Sequence, residues 1–516
     1  MNALATHVPI LVIATPLLGA FAAPLIAKLG RTTRVAFSGL IAGLTACFAG
    51  LLAATLYSAG GQPIVYVLGG RVPLPSGLAV PVRIMLEVDG LSVFMALIAA
   101  LVGALAVLYS VSYWKERSGG ALYDSLLFLL IAGVFGLVLT GDMFNFFVFL
   151  EITSIAACGL IGFRAWRKRS SEAAFKVMAL YTLAGLLVLL AVGLLYGQYG
   201  GLNMAFLAAN LSGSMLDRIA LALLLAGLAM KAGAVPMHMW APEAYGEAPA
   251  PVAMVLVANS QAGLYALFRI LFTLYGVALS VTAIGWILIV MAVLTILVGV
   301  TMALVQSDIK RLIAFGAVSQ IGYMLLAVGV GFAVLATRPA FGLAAIQGGI
   351  FHMINDVACI GLLFLAAGAM VRAAGTRNLN AMGGLAHDLK GLTVLFAVGA
   401  FALAGVPPFN GFASKLIIYE STFRLSPVLA IVAVLGSIIL LAVFLRAFQA
   451  AFLGPRTVGE AGRVPWTMTL SMAVLASIVI GFGLFPGFFI DKLVAPAANA
   501  LWNGQAAYIG AVLGGG

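Results

Sequence analysis

The sequence predicts an all-α polytopic membrane protein, and three observations carry that prediction. Charged residues make up 8% of the 516 residues and hydrophobic residues 64%, whereas a water-soluble domain carries about 25% charged residues. Apolar runs long enough to cross a bilayer follow one another with only short polar loops between them. The cations gather in those loops, so the net charge of +11 is read as a set of orientation signals and not as a nucleic-acid surface.

A window of about 20 residues gives about fourteen spans, at 8–27, 35–57, 84–112, 122–140, 143–163, 173–197, 217–235, 250–274, 278–304, 310–335, 342–371, 391–424, 428–453 and 467–490. Span 1 follows neither a basic leader nor a convincing cleavage site and is expected to be a retained helix. Between spans 2 and 3 the segment 58–83 holds Pro63, Pro73, Pro75 and Pro81. It is too polar to span and reads as an external extended or β-hairpin loop. The stretch 493–514 is rich in glycine and alanine and is expected to be a tail lying on the membrane or on a partner. One continuous membrane domain is expected. It divides into residues 1–121 with the first three helices, a repeat over 122–275, a second repeat over 276–455, and the last helix and tail over 456–516.

Lysine and arginine set the orientation. The loops after spans 1, 3, 5, 9, 11 and 13 hold Arg31, Arg34, Lys115, Arg117, Arg164, Arg167, Lys168, Arg169, Lys310, Arg311, Arg372, Arg377, Lys390, Arg456 and Arg463. The opposite loops hold Arg71, Arg83, Arg218, Arg338 and Arg424. The positive-inside rule then puts both termini outside the cytoplasm of a multi-pass inner (cell) membrane protein. Cys47, Cys158 and Cys359 lie inside apolar runs without ligand spacing and read as small buried hydrophobes.

Spans 7 and 12 carry matching interruptions. In span 7, Lys231 is followed by Pro236; in span 12, the run Gly405-Val-Pro-Pro-Phe-Asn-Gly411 is followed by Lys415. A proline removes a backbone donor and breaks the helix. The two spans lie five apart, so they run antiparallel, as an inverted repeat of spans 4–8 and 9–13 requires.

Ionisable groups inside a bilayer are costly and mark ion pathways by default. Glu151, in "NFFVFLEITSIAACGL", needs a proton or a cation at that depth, and Lys231 is the expected partner. The alternative is a purely structural ion pair. His352 and Asp356 lie four apart, on one helix face about 6 Å apart along the axis. They suit a proton relay in which the carboxylate favours the charged imidazole; the alternative is an interhelical hydrogen-bonding pair. Lys415 follows a stretch of freed carbonyls, or else snorkels to an interface. Asp308, Lys310 and Arg311 read as a helix cap, and His238 and Glu243 as residues that line an exit or hold a loop. The sequence shows no metal cluster, nucleophile triad, phosphate loop or nucleotide fingerprint, so no cofactor is expected.

Four ordered segments, "LAGLAMKAGAVPMHMWAPEAYGEAPAPV" (225–252), "SDIKRLIAFGAVSQIGYM" (307–324), "FHMINDVACIGLLFLAAG" (351–368) and "AGVPPFNGFASK" (404–415), resemble the antiporter-like membrane subunits of complex I, membrane-bound hydrogenases and Mrp-type cation/proton antiporters. "DGLS" at 89–92 and "DMFNFFVFLE" at 142–151 fit the same resemblance, which covers roughly residues 85–455. Asp356 and "YGEAP" look closer to the D-type subunit of Mrp antiporters and its hydrogenase relative than to complex I.

The resemblance implies a fourteen-helix core, two inverted five-helix repeats, discontinuous helices 7 and 12, and a mid-membrane polar axis. In it, Glu151, Lys231, His352 and Lys415 match the family's helix-5 glutamate, helix-7 lysine, helix-11 histidine and helix-12 lysine. Two positions depart. Gln261 stands where many relatives have a proton-carrying group, and Ile360 where many have a lysine. The expected function is therefore a proton or Na⁺/H⁺ translocating subunit of a multi-subunit complex, with other membrane subunits, protons, Na⁺ and lipids as partners. The alternatives are a structural or coupling subunit whose path Gln261 and Ile360 interrupt, and a stand-alone secondary transporter.

Overall fold

The computed structural model describes residues 3–68, 84–114, 119–276, 278–456 and 462–513. The chain opens with α1 (Ala3–Ile26) and α2 (Arg31–Ser58), followed by a two-stranded antiparallel sheet, β1 (Ile64–Val67) and β2 (Met85–Val88), in which Ile64 pairs with Val88. There follow α3 (Gly90–Tyr113), α4 (Gly120–Leu139), α5 (Met143–Ile161), α6 (Lys168–Tyr199) and the short α7 (Met204–Asn210). The middle of the chain forms α8 (Met215–Ala232), α9 (Trp240–Glu247), α10 (Ala250–Arg269), α11 (Val281–Leu304), α12 (Ile309–Ala333) and α13 (Pro339–Ala374). After it come α14 (Leu385–Asp388), α15 (Lys390–Ala404), α16 (Asn410–Leu425), α17 (Pro427–Phe448), α18 (Trp466–Leu484), α19 (Pro486–Phe489), α20 (Ala495–Trp502) and α21 (Gln505–Leu513).

Among the described residues, twelve helices are long and apolar enough to cross a membrane. They match expected spans 1–6, 8–11, 13 and 14. The two expected spans outside that set are 7 and 12, and each is split in two, α8 with α9 and α15 with α16.

Side chains and glycines mark the ends of these helices. Asp89 caps α3 by accepting from the amides of Leu91 and Ser92, Asp142 caps α5 through Phe144 and Asn145, and Asp308 caps α12 through Lys310 and Arg311. Each carboxylate satisfies amides that an initial helical turn leaves free. The apolar stretches of the central helices α10 and α12 are fully buried within the bundle. The outer ones turn leucine and isoleucine outward, as Leu183, Leu186 and Leu190 do on α6 and Ile431, Leu435 and Ile438 do on α17. That is the pattern of a bundle solvated by lipid.

Two expectations are corrected. The third span does not begin at residue 84. Met85–Val88 pairs as β2, and the Asp89 cap fixes the helix start at Gly90. The last stretch lies on this chain's own bundle and not on the membrane or a partner. Ala497, Ala498, Leu501 and Tyr508 are buried, and the Trp502 ring lies against Gly342 of α13 and 6.1 Å from the Phe272 ring. Pro73, Pro75, Pro81, Arg71, Arg83, Lys115 and Arg117 lie outside the described residues.

Candidate functional site

The two breaks share one register. Gly233 ends α8 and Gly405 ends α15, each at φ +84°, a left-handed conformation that glycine adopts without a Cβ penalty. The amide of Ala234 donates back to the Ala229 carbonyl at 3.0 Å, and that of Val406 to Phe401 at 3.0 Å. The amide of Met237 then closes a turn on Ala234, and that of Phe409 on Val406. Both turns hold a cis peptide, Val235–Pro236 and Pro407–Pro408. "GAVPM" and "GVPPF" therefore fold alike, Gly405 answering Gly233 and Pro408 answering Pro236. The carbonyls freed at the first break find donors. The Trp240 indole reaches the Met230 carbonyl at 2.8 Å, and the Ser260 hydroxyl bonds that of Ala232.

The lysines are not equivalent in that register. Lys231 sits just before its glycine, at the end of α8, whereas Lys415 lies beyond its break, in α16. Leu403, which answers Lys231 in the second break, supplies a carbonyl that accepts from Lys415 Nζ at 2.7 Å.

Both lysines are buried, and their surroundings are alike in kind. Lys231 Nζ donates to the Leu150 carbonyl at 3.2 Å and to the Ser154 hydroxyl, and stands 3.9 Å over the Tyr181 ring. Lys415 Nζ donates to Leu403 O and, at 3.1 Å, to Ser437 Oγ, and stands 4.6 Å from the centre of the Tyr323 ring. Each ammonium thus has a carbonyl, a serine and an aromatic face. Neither takes part in an ion pair among the described residues.

Glu151 and Lys231 act on each other as charges but make no direct ion pair among the described residues. The hydrogen-bonded link between them is Ser154, whose hydroxyl lies 3.5 Å from Glu151 Oε1. The Glu151 carboxylate is half-buried, packs against Gly185 of α6 and faces a cavity of about 400 Å³ shared with Cys158, Phe175 and Tyr181.

His352 and Asp356 share a face of α13 but make no hydrogen bond to each other; each bonds sideways. His352 Nδ1 lies 2.9 Å from Ser414 Oγ, and its Nε2 3.2 Å from Gln320 Oε1. Ser414 is the neighbour in sequence of Lys415. Asp356 accepts from Gln261 Nε2 at 2.8 Å. Gln261, expected only to weaken the middle of the path, therefore holds the carboxylate found there. The other oxygens of this pair, Asp356 Oδ1 and Gln261 Oε1, are buried without a partner. Ile360 is buried in the apolar core. Beside Asp356, Asn355 and Asn410 exchange hydrogen bonds, and Cys359 points at Asn410.

Glu243, just past the first break, pairs with Arg311 at 2.7 Å and so ties α9 to the start of α12. Sequence reasoning passed over Ser154, Tyr181, Gln320, Tyr323, Ser414 and Ser437. Their common signal is a polar atom inside an apolar run. It is weak, because transmembrane serines commonly bond their own helix backbone, as Ser154 also does with Leu150.

Residues 140–440 match the family described as NADH:quinone oxidoreductase/Mrp antiporter, transmembrane, and residues 76–123 match that of the complex I chain 5 N-terminus. The chain is 32% identical over 514 residues to the N-type subunit of the NADH-quinone oxidoreductase of Desulforudis audaxviator, covering 95% of this chain and 98% of that one. It is 31% identical over 514 residues to the D-type subunit of the Na⁺/H⁺ antiporter of Bacillus subtilis, covering 98% and 99%. Among solved structures it is similar to a chain of the Mrp complex of Dietzia sp., with a TM-score of 0.87, 28% identity, and coverage of 99% and 100%. A chain of an archaeal membrane-bound sulfane sulfur reductase gives a TM-score of 0.86 at 28% identity, with coverage of 98% and 100%.

Proposed function

The chain belongs to the NADH:quinone oxidoreductase/Mrp antiporter family of antiporter-like membrane subunits, and on that premise we propose that it translocates protons, alone or in exchange for Na⁺. The residues proposed to carry them are Glu151, Lys231, His352, Asp356 and Lys415. The proposed setting is a complex with other membrane subunits, since the similar solved chains come from multi-subunit assemblies. Both termini are proposed to lie outside the cytoplasm.

The observation that carries this reading is the company the two lysines keep. A lysine locked to a buried carboxylate gives up its proton only by breaking the pair, at a cost of about 3–5 kcal/mol. Lys231 and Lys415 rest on neutral acceptors and ring faces instead. Losing the proton breaks no direct ion pair at either amine, although Glu151 and Asp356 lie within electrostatic reach. Ser154 offers a route from Lys231 to Glu151, and Ser414 puts His352 beside the Lys415 segment. A second reading, a coupling subunit that does not conduct, is favoured by one feature: the hydrogen bonds of Lys231, Asp356 and His352 form separate clusters with Ile360 among apolar neighbours.

The test is proton flux in vesicles reconstituted with the assembled complex. Lys231→Ala is expected to abolish flux while the complex still assembles. Unchanged flux in that variant overturns the proposed route, and a wild-type complex that pumps with no contribution from this chain supports the coupling reading.

A further inference from the structure

A second cavity, of about 470 Å³, lies at the cation-rich end of the bundle, where α3 and α13 finish and α10 and α12 begin. Arg164, Arg167, Lys310, Arg372 and Arg377 line it. The nearby carboxylates are already engaged. Arg377 Nη1 donates to Glu247 Oε1 at 2.9 Å, and its Nη2 lies 2.8 Å from Asp308 Oδ2. Lys310, 5% exposed, donates to neutral groups, the carbonyls of Gly246, at 3.0 Å, and Ala248. Arg164, 7% exposed, donates to the Glu247 carbonyl, while its Nε finds no acceptor. Arg167 and Arg372 make no ion pair among the described residues.

Among the described residues, five cations therefore face one cavity against two carboxylates, leaving three positive charges unmatched. Burial first, then Arg167 and Arg377, hold the Arg164 guanidinium below its ordinary value against the opposing pull of Tyr113 and Glu247. Cations that serve only to orient a membrane chain stay in water; Arg164 and Lys310 do not. Ala250 at the start of α10 and Gly375 at the end of α13 both line the cavity, so opposite helix-dipole ends meet there and the side chains set the sign.

We propose that this cavity binds a phosphate-type anion, supplied either by the head of an acidic phospholipid or by free phosphate, with Arg167 and Arg372 as its direct ligands. Planar guanidinium groups with unused donors match a tetrahedral oxyanion in pairs. The three unmatched charges favour a group that brings more negative charge than a single carboxylate.

The test uses the full chain purified in neutral detergent. Phosphatidylglycerol, with phosphatidylcholine as control, is followed by native mass spectrometry, and inorganic phosphate by thermal shift. The wild-type chain is expected to retain phosphatidylglycerol in preference to phosphatidylcholine, or to be stabilised by phosphate, the responding arm naming the source. The Arg167→Gln/Arg372→Gln double variant is expected to weaken that response at least tenfold, and Arg167→Lys/Arg372→Lys to keep most of it. Equal retention of the two lipids without a phosphate shift, or a glutamine variant that binds like the wild type, overturns the proposal. Should the glutamine variant fail to fold, salt decides on the wild-type chain: binding that weakens from low to high salt supports the site, and binding that does not overturns it.

Discussion

Removing the Ser154 hydroxyl takes from Lys231 one of its two hydrogen-bond acceptors and cuts its link to Glu151. A hydrogen bond to a charged group contributes about 1.5–3 kcal/mol. Ser154→Ala is therefore expected to slow proton flux about tenfold or more, and Ser154→Thr to restore most of it; vesicle flux measured on both checks the direction. Glu87 offers a pH test away from the spans. Burial in β2, with the Asp89 carboxylate beside it, pushes the Glu87 carboxyl up to about 9, against Arg269 and Tyr508, which pull it down. A carboxyl raised on folding binds its proton more tightly in the folded chain. Its effect is neutral below the ordinary carboxylate range, and stability falls as pH rises from there through about 9. Glu87→Gln needs no ionisation in the unfolded chain. The melting-temperature difference between Glu87→Gln and wild type is thus expected to grow in the variant's favour between pH 5 and pH 9, and a flat difference would count against it.

At the scale of elements, the breaks depend on their glycines. An alanine at φ +84° costs about 1–2 kcal/mol. Gly233→Ala and Gly405→Ala are each expected to lower the melting temperature and proton flux together, as thermal unfolding in detergent alongside vesicle flux would show. The breaks were legible in the sequence because glycine and proline act locally: Gly405-Val-Pro-Pro and Lys231 with Pro236 mark them without tertiary information. The partners of the lysines were not. Leu150, Ser154 and Tyr181 approach Lys231 from α5 and α6, and Ser437 and Tyr323 approach Lys415 from α17 and α12. Charge complementarity pointed to Glu151, but packing put a serine in between. In the same way a four-residue spacing put His352 and Asp356 on one face without saying that their side chains reach Gln320, Ser414 and Gln261. The strand at Met85–Val88 was hidden for another reason: its partner, Ile64–Val67, lies well upstream in the sequence.

Across the whole molecule, Arg377 joins the two halves by bridging Glu247, at the end of α9, to Asp308, at the start of α12. The amide of Ile309 adds a bond to the Arg377 carbonyl at 3.0 Å. Arg377→Ala removes the direct ion-pair partner of the buried Glu247, although Arg164 and Lys310 remain near it, and a loss of about 1–3 kcal/mol is expected. Chemical unfolding of the variant should move its midpoint accordingly, and a midpoint at the wild-type position would show that the junction holds without it. The split helices also constrain how the chain is made. With 15 and 16 residues, α15 and α16 reach only about 22 and 24 Å, short of a hydrocarbon layer of about 30 Å. Neither half is long enough by itself to span that layer. The carbonyl of Leu403 finds its ammonium only on α16, and that ammonium finds Ser437 only on α17. The second break is therefore expected to find its full set of partners only after α17 has joined the bundle, and a chain truncated at residue 426 is expected to leave residues 405–415 accessible to water-soluble labelling reagents.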